Sequence, residues 1–187
     1  FNHILDEVLI YSSNIGVSKI SRLLGKEKIY SSFRKFGIGT KTGIDLPGEE
    51  GGTLRDIKKW SRISHSMVSI GQEISVTNLQ LAMIYAAIAN NGYLLKPILI
   101  KKIEDSFDYN LSNTEVVRKV ISKEDSKKII NILTRAVNDG TGTNAKIPGY
   151  QIAGKTGTAE KFIDGEYSEK YFVSSFASIF PSESPEY

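Results

Sequence analysis

Tyr150-Gln151-Ile152-Ala153-Gly154-Lys155-Thr156-Gly157-Thr158-Ala159 is the stretch whose reading decides the fold. The run is β-compatible, and a lysine set between glycines leaves little side-chain crowding, so a ligand can lie alongside the backbone. Thr156 and Thr158 stand two positions apart and share a strand face, where their hydroxyls can hydrogen-bond one anion. The Lys155 ammonium adds charge, and the strand itself can pair with an extended peptide as an added strand would. Residues 149–156, GYQIAGKT, also satisfy the phosphate-loop expression GxxxxGK[ST] letter for letter. A phosphate cradle, however, needs a buried strand before it and a helix after it. Pro148 lies immediately upstream, and Gly157, Thr158, Asp164 and Gly165 oppose a long helix downstream. A strand is therefore expected here, not a nucleotide loop.

Downstream, a polar stretch with Asp164-Gly165 leads to Tyr171–Phe180, β-branched and aromatic, which completes a hairpin. Upstream the pattern turns helical. Ser122 and Asp125 form a capping box ahead of Ile129, Ile130, Leu133 and Val137, with Gly140 as the stop. Thr77 can cap NLQLAMIYAAIANNG, whose apolar residues predict a helix buried on most sides. Leu94 to Ile100 reads as extended, with Pro97 arguing for an edge. Residues 37–53, with six glycines and a proline, predict a structured loop. Ile29, Phe33 and Phe36 mark a short helix before it. Two further helices, around Ile4–Leu9 and Ile20–Leu24, flank the polar knot Ser12-Ser13-Asn14. Helices first and a hairpin last give an α+β fold: 1–140 mainly helical, 141–187 the hairpin carrying KTGT.

Ser12-x-Asn14 supplies a second candidate element. A serine hydroxyl can relay a proton when a lysine is near, and an asparagine amide can hold that lysine and a substrate amide together. The plainer alternative is that Asn14 caps the following helix.

Composition narrows the field. The 187 residues are 40% apolar and 24% charged, which excludes collagen-like and disordered readings. No window approaches the length of a membrane span, and the N-terminus lacks the marks of a signal peptide. The net charge of +3 comes from 18 lysines and 6 arginines, mostly scattered, so no nucleic-acid partner is expected. Zero cysteine removes disulfides and thiolate chemistry. With two histidines, a Ser-His-Asp triad or a histidine metal site is not expected, and no cofactor or metal is implied.

SSNIGVSKI, FGIGTKTGIDLPGEEGG, SIGQEISVTNLQLAMIYAAIANNG, DGTGTNAKIPGYQIAGKTGTAEK and SSFASIFPSESPEY, in this order, are similar to successive segments of class B penicillin-binding proteins. SxN and KTG belong to the motif set of penicillin-binding proteins and class A β-lactamases. The ISVT after Gly71-Gln72 and the C-terminal SF…P…P most resemble the division-type (septal) branch. The resemblance implies a partial penicillin-binding-protein/serine β-lactamase-like fold and a serine D,D-transpeptidase. Such an enzyme cross-links peptidoglycan stem peptides ending in D-Ala-D-Ala through an acyl-enzyme, and is acylated by β-lactams. It further implies Ser12 and Asn14 as the second motif, with Lys155 as a third catalytic group. Thr156, Gly157 and Thr158 would bind substrate, the Thr158 N–H serving as one oxyanion donor. The implied setting is the extracytoplasmic, periplasmic face of a bacterial inner membrane, anchored by a segment outside this chain, among other cell-division and cell-wall proteins.

The family's nucleophile is the serine of an SxxK motif upstream of SxN. The one SxxK string here, Ser32-Phe33-Arg34-Lys35, lies downstream of it, on a helix whose apolar face is Ile29, Phe33 and Phe36. With 21 serines and 18 lysines, chance alone produces about two such strings. Ser32 is therefore rejected. The chain is expected to be the middle and later part of a transpeptidase domain, inactive by itself. A serine β-lactamase is a competing reading, disfavoured by the 143 positions (155 − 12) between Ser12 and Lys155. A non-catalytic β-lactam sensor or divisome scaffold is another.

Overall fold

Helix α1 (Asn2–Ile10) stops at Tyr11-Ser12, where Ser12 takes the left-handed backbone at φ 55°. The Ser13 hydroxyl then accepts from the Gly16 N–H at 3.1 Å and starts α2 (Asn14–Leu24). This serine, not Asn14, is the cap, because its side-chain oxygen reaches an otherwise orphan N–H of the first turn. These relations come from a computed structural model that describes residues 2–100, 102–103, 109–110 and 114–187.

Gly25 closes α2 and opens α3 (Lys26–Lys35), which ends before Gly37, in agreement with the expected stop. The 37–53 loop is ordered by two side chains. Glu49 accepts from the Thr42 hydroxyl at 2.6 Å and from the N–H groups of Thr42 and Gly43, and these donors hold its carboxyl below the usual range. Buried Gln80 donates to the carbonyls of Gly37, Thr40 and Gly51. After the loop come β1 (Thr53–Leu54), α4 (Ser64–Ser69), β2 (Ile74–Ser75) and α5 (Asn78–Ala89). The Thr77–Gln80 capping box starts α5: Thr77 Oγ1 accepts from the Gln80 N–H, and the Gln80 side chain accepts from the Thr77 N–H.

Next are β3 (Tyr93–Leu95), β4 (Lys102–Ile103), β5 (Tyr109–Asn110), β6 (Val116–Lys119) and α6 (Lys123–Asn138). The extended run predicted from Leu94 is shorter than expected. It pairs only through Leu95, with Lys96 donating to the Glu115 carbonyl, and Pro97 ends the ladder because it has no N–H to give. Residue 101 of that neighbourhood lies outside the described residues. At the start of α6, Ser122 caps the Asp125 N–H, but the Asp125 carboxylate accepts from the Ser122 hydroxyl and not from its N–H, so the box is half-formed. The chain closes with β7 (Ala153–Ile163) and β8 (Glu166–Ile179), joined by the Asp164-Gly165 turn. Four antiparallel two-stranded pairs, β1–β2, β3–β6, β4–β5 and β7–β8, are present among the described residues.

The core that fixes the hairpin joins Ile88 of α5, Leu133 of α6, Ala153 of β7 and Ile179 of β8, with Phe36, Tyr85 and Ile129 against it. Burial pushes the Tyr85 hydroxyl up to about 12. A second cluster, Ile29, Trp60 and Val68, joins α3 to α4. The expectation that α5 is buried on most sides needs correction. Gln80, Ala87 and Ile88 are buried, but Leu81, Ala82, Tyr85 and Ala86 line an open groove of about 780 Å³ between α5 and β8. The helix is apolar around its circumference: Ile88 packs on α6 and the hairpin base, Met83 and Ala87 pack with Leu94 of β3 and Val120, and the remaining side faces the groove.

Candidate active site

Strand β7 pairs with β8 in a register that sets Lys155 opposite Ala177, Thr156 opposite Phe176, Gly157 opposite Ser175 and Thr158 opposite Ser174. The literal phosphate-loop match is thereby refuted. Gly154, Lys155 and Thr156 are strand residues, and the strand continues to Ile163 where a phosphate loop would need a helix. Gly157 faces Ser175 so closely that a Cβ would fall 2.6 Å from its hydroxyl, so the position opposite Ser175 is kept clear of side chain.

Lys155 is half-buried, and burial pushes its ammonium below the usual lysine range. Its Nζ donates to Thr141 Oγ1 at 3.0 Å and to the Thr156 carbonyl at 3.2 Å. The Thr156 hydroxyl lies 3.0 Å from the same Thr141 oxygen. Lys155, Thr156 and Thr141 thus form one hydrogen-bonded triangle at the start of the strand. Thr158, two residues on, is exposed.

Ser12 and Asn14 are also exposed, Ser12 in the strained connection and Asn14 as the first residue of α2. With Ser13 doing the capping, the Asn14 amide is released from that duty. Among the described residues no hydrogen bond runs directly from Ser12 or Asn14 to Lys155, Thr156 or Thr158. The two motifs are joined through the turn after α6. The Thr141 N–H donates to the Ile10 carbonyl at 3.3 Å, two residues before Ser12. Gly140 makes the approach possible, because a Cβ there would sit well inside contact distance of that same carbonyl oxygen. Asp6 of α1 pairs with Arg135 of α6 at 3.3 Å, and Ile10 is buried, so α1 is held along α6 up to the site.

Gly140 and Thr141 carry this junction, and the sequence reading assigned Gly140 only as a helix stop and Thr141 no role. The signal for them is purely spatial: nothing in DGTGT says that its first threonine meets a lysine 14 positions later. Ser32 stands apart on the exposed side of α3, its hydroxyl donating to the Lys28 carbonyl of its own helix at 2.7 Å.

Lys155 and Thr156 of β7 are thus linked through Thr141 to the Ile10 carbonyl at the end of α1, two residues before Ser12. Residues 2–187 match the family described as the penicillin binding protein transpeptidase domain. The chain belongs to this family. It is 37% identical over 182 residues to stage V sporulation protein D of Bacillus subtilis, covering 96% of this chain and 28% of that protein. It is 36% identical over 190 residues to penicillin-binding protein PbpB of Mycobacterium tuberculosis, covering 94% and 27%. Among solved structures, penicillin binding protein 3 of M. tuberculosis in its apo form superposes with a TM-score of 0.90 at 34% identity, over 96% of this chain and 43% of that one. The transpeptidase domain of penicillin-binding protein 3 from Burkholderia pseudomallei gives 0.85 at 32% identity, over 96% and 53%. The chain therefore spans less than a third of the length of these curated relatives. The α+β architecture read from the sequence is that of the family.

Proposed function

We propose that the protein carrying this transpeptidase segment is a peptidoglycan D,D-transpeptidase of bacterial cell-wall and septum synthesis, with stem peptides as substrates and β-lactams as acylating inhibitors. The observation that carries the reading is the Lys155–Thr156–Thr141 triangle, bonded through the Thr141 N–H to the Ile10 carbonyl at the end of α1, two residues before Ser12. Relatives from Mesostigma viride and Neisseria gonorrhoeae bear the name peptidoglycan D,D-transpeptidase, the first as an FtsI homolog and the second as a probable one, which supports the class.

In this reading a serine of an SxxK motif outside these 187 residues adds to the carbonyl of the penultimate D-Ala. The bond to the terminal D-Ala breaks, and the departing nitrogen takes up the serine's proton. An amine of a second stem peptide then accepts the acyl group and returns a proton to the serine. Ser12 relays the proton, and Asn14 holds the substrate amide. Lys155 and the threonines 156 and 158 receive the terminal carboxylate, with Gly157 leaving room between them and the Thr158 N–H donating to the oxyanion. Loss of one oxyanion donor typically costs about 2.7–4 kcal/mol of transition-state stabilisation. The segment works on the extracytoplasmic side of the bacterial inner membrane, beside other division and wall-synthesis proteins. Among the described residues no helix is long and apolar enough to cross a membrane.

Labelling with a fluorescent penicillin, read by intact mass, tests the proposal. The longer gene product is expected to take up one equivalent, and this chain alone none. A stoichiometric adduct on the chain, or an unlabelled longer product, overturns it. Rapid nitrocefin turnover by the labelled protein would instead favour a β-lactamase.

A further inference from the structure

No role in the proposed reaction falls to Thr141, yet its side chain and backbone bond to both strand β7 and the end of α1. Its hydroxyl oxygen lies 3.0 Å from Lys155 Nζ and 3.0 Å from the Thr156 hydroxyl, and its N–H holds the Ile10 carbonyl. An ammonium can only donate, so the Thr141 oxygen is an acceptor toward Lys155. Lys155 has few other partners: the Thr156 carbonyl at 3.2 Å and the Thr156 hydroxyl at a long 3.4 Å. A flexible four-carbon stem with so few contacts would sample many rotamers without an anchor.

From this geometry we infer that Thr141 is a positioning residue for the reaction. Its hydroxyl sets Lys155 and Thr156 in one arrangement, and its backbone fixes the distance from that arrangement to the Ser12 connection. The inference rests on the transpeptidase reading above, because a site that recognises a carboxylate gains from an ammonium already oriented toward it. The physical consequence is specific. A hydrogen bond given by the charged form of Lys155 stabilises that form, so removing its acceptor lowers the pH at which the ammonium is lost. Of the charged residues close to Thr141 in the chain, Asp139 and Lys146 are exposed and Arg135 is paired with Asp6. Lys155 has no hydrogen bond or ion pair with any of them, and on β8 the residues paired with 154–158 are uncharged. Among the described residues, Thr141 and Thr156 are thus the polar side chains bonded to the lysine.

The test uses the full-length gene product and three forms: wild type, Thr141→Val, which keeps shape but removes the hydroxyl, and Thr141→Ser, which keeps the hydroxyl. Second-order acylation by a fluorescent penicillin is measured across pH, with thermal unfolding of each form as the control for folding. A hydrogen bond to a charged group is typically worth about 1.5–3 kcal/mol, so T141V is expected to slow acylation about 10- to 100-fold. The alkaline limb of its pH profile should move to lower pH, and T141S should recover both the rate and the limb. Wild-type rate and an unmoved limb in T141V overturn the inference, as does a T141S form as impaired as T141V, which would mark a packing role. Nitrogen-15 NMR of the Lys155 ammonium in the same samples reads the contact without any reaction. A lower titration midpoint in T141V supports it even where wild type fails to acylate, an outcome that would count against the transpeptidase reading alone. An unchanged midpoint overturns it.

Discussion

The two ends of the β7–β8 hairpin share one ladder but live in different surroundings. At the base, Ala153 and Ile179 are 0% and 1% exposed, packed with Leu133 of α6 and Ile88 of α5. Toward the turn, Phe162, Tyr171 and Val173 are 64%, 60% and 52% exposed on strands of the same β-branched and aromatic character. An isolated two-stranded ribbon is marginal in water, so order at the base comes from the helices packed on it more than from strand propensity. The candidate site residues 155–158 follow that packed base directly along β7.

The largest test of this contrast compares Ile179→Ala with Phe162→Ala. Truncating Ile179 should lower stability by about 2–5 kcal/mol, because the surrounding helices cannot fully collapse on the void. Truncating Phe162, exposed and touching chiefly the Tyr167 ring at 5.1 Å between centroids, should stay within about 1 kcal/mol. Denaturant unfolding of the two variants measures the difference, and equal losses would show that base and tip fold as one buried unit.

The next effect concerns the junction of base and helix. Gly140→Ala places a methyl against the Ile10 carbonyl, which is backbone and cannot rotate away. The expected cost is about 1–3 kcal/mol, the range for overpacking at a tight site. Because the strain falls between Thr141 and Ser12, penicillin acylation of the full-length protein should fall further than stability predicts. A variant that unfolds earlier but acylates normally when folded would show that the spacing of the two motifs is loose.

How much of this could be read in the sequence follows from how local each cause is. Thr77 and Gln80 are three positions apart, and their capping box was expected at least in its threonine half; the hairpin and its Asp164-Gly165 turn were visible for the same reason. Ser13 could equally have yielded its capping role to Asn14 by residue type, and only the geometry of the turn chose between them. The burial of α5 was overestimated because an apolar helix reports what it could bury, not which neighbours stand beside it. Short strands such as β1 and β2 were invisible, since two residues carry no periodicity. Lys155 and the threonines were found by motif, whereas Thr141 depends on a contact across 14 residues that no spacing rule announces.

The smallest expected effect lies at the tip. Tyr167 of β8 accepts a hydrogen bond at its hydroxyl from the Glu73 N–H at 2.9 Å. Glu73 itself sits in left-handed backbone at φ 57°, and its carboxylate pairs with Arg55. This polar latch joins the hairpin to the loop before β2, and Tyr167 belongs to none of the buried apolar clusters among the described residues. Tyr167→Phe removes the acceptor and keeps the ring, so it should cost about 0.5–1.5 kcal/mol at most, part of it returned as water reaches the freed N–H. Amide exchange at Glu73 should quicken while the amides of Lys155 and Gly157, which alternate with the Thr158 N–H assigned to the oxyanion and so face β8, keep their protection, because local opening at a weakly packed end need not propagate to a packed one. Faster exchange at Gly157 in this variant would mean that the latch stiffens the whole ladder, and that the order of the site depends on the tip as well as on the helices behind its base.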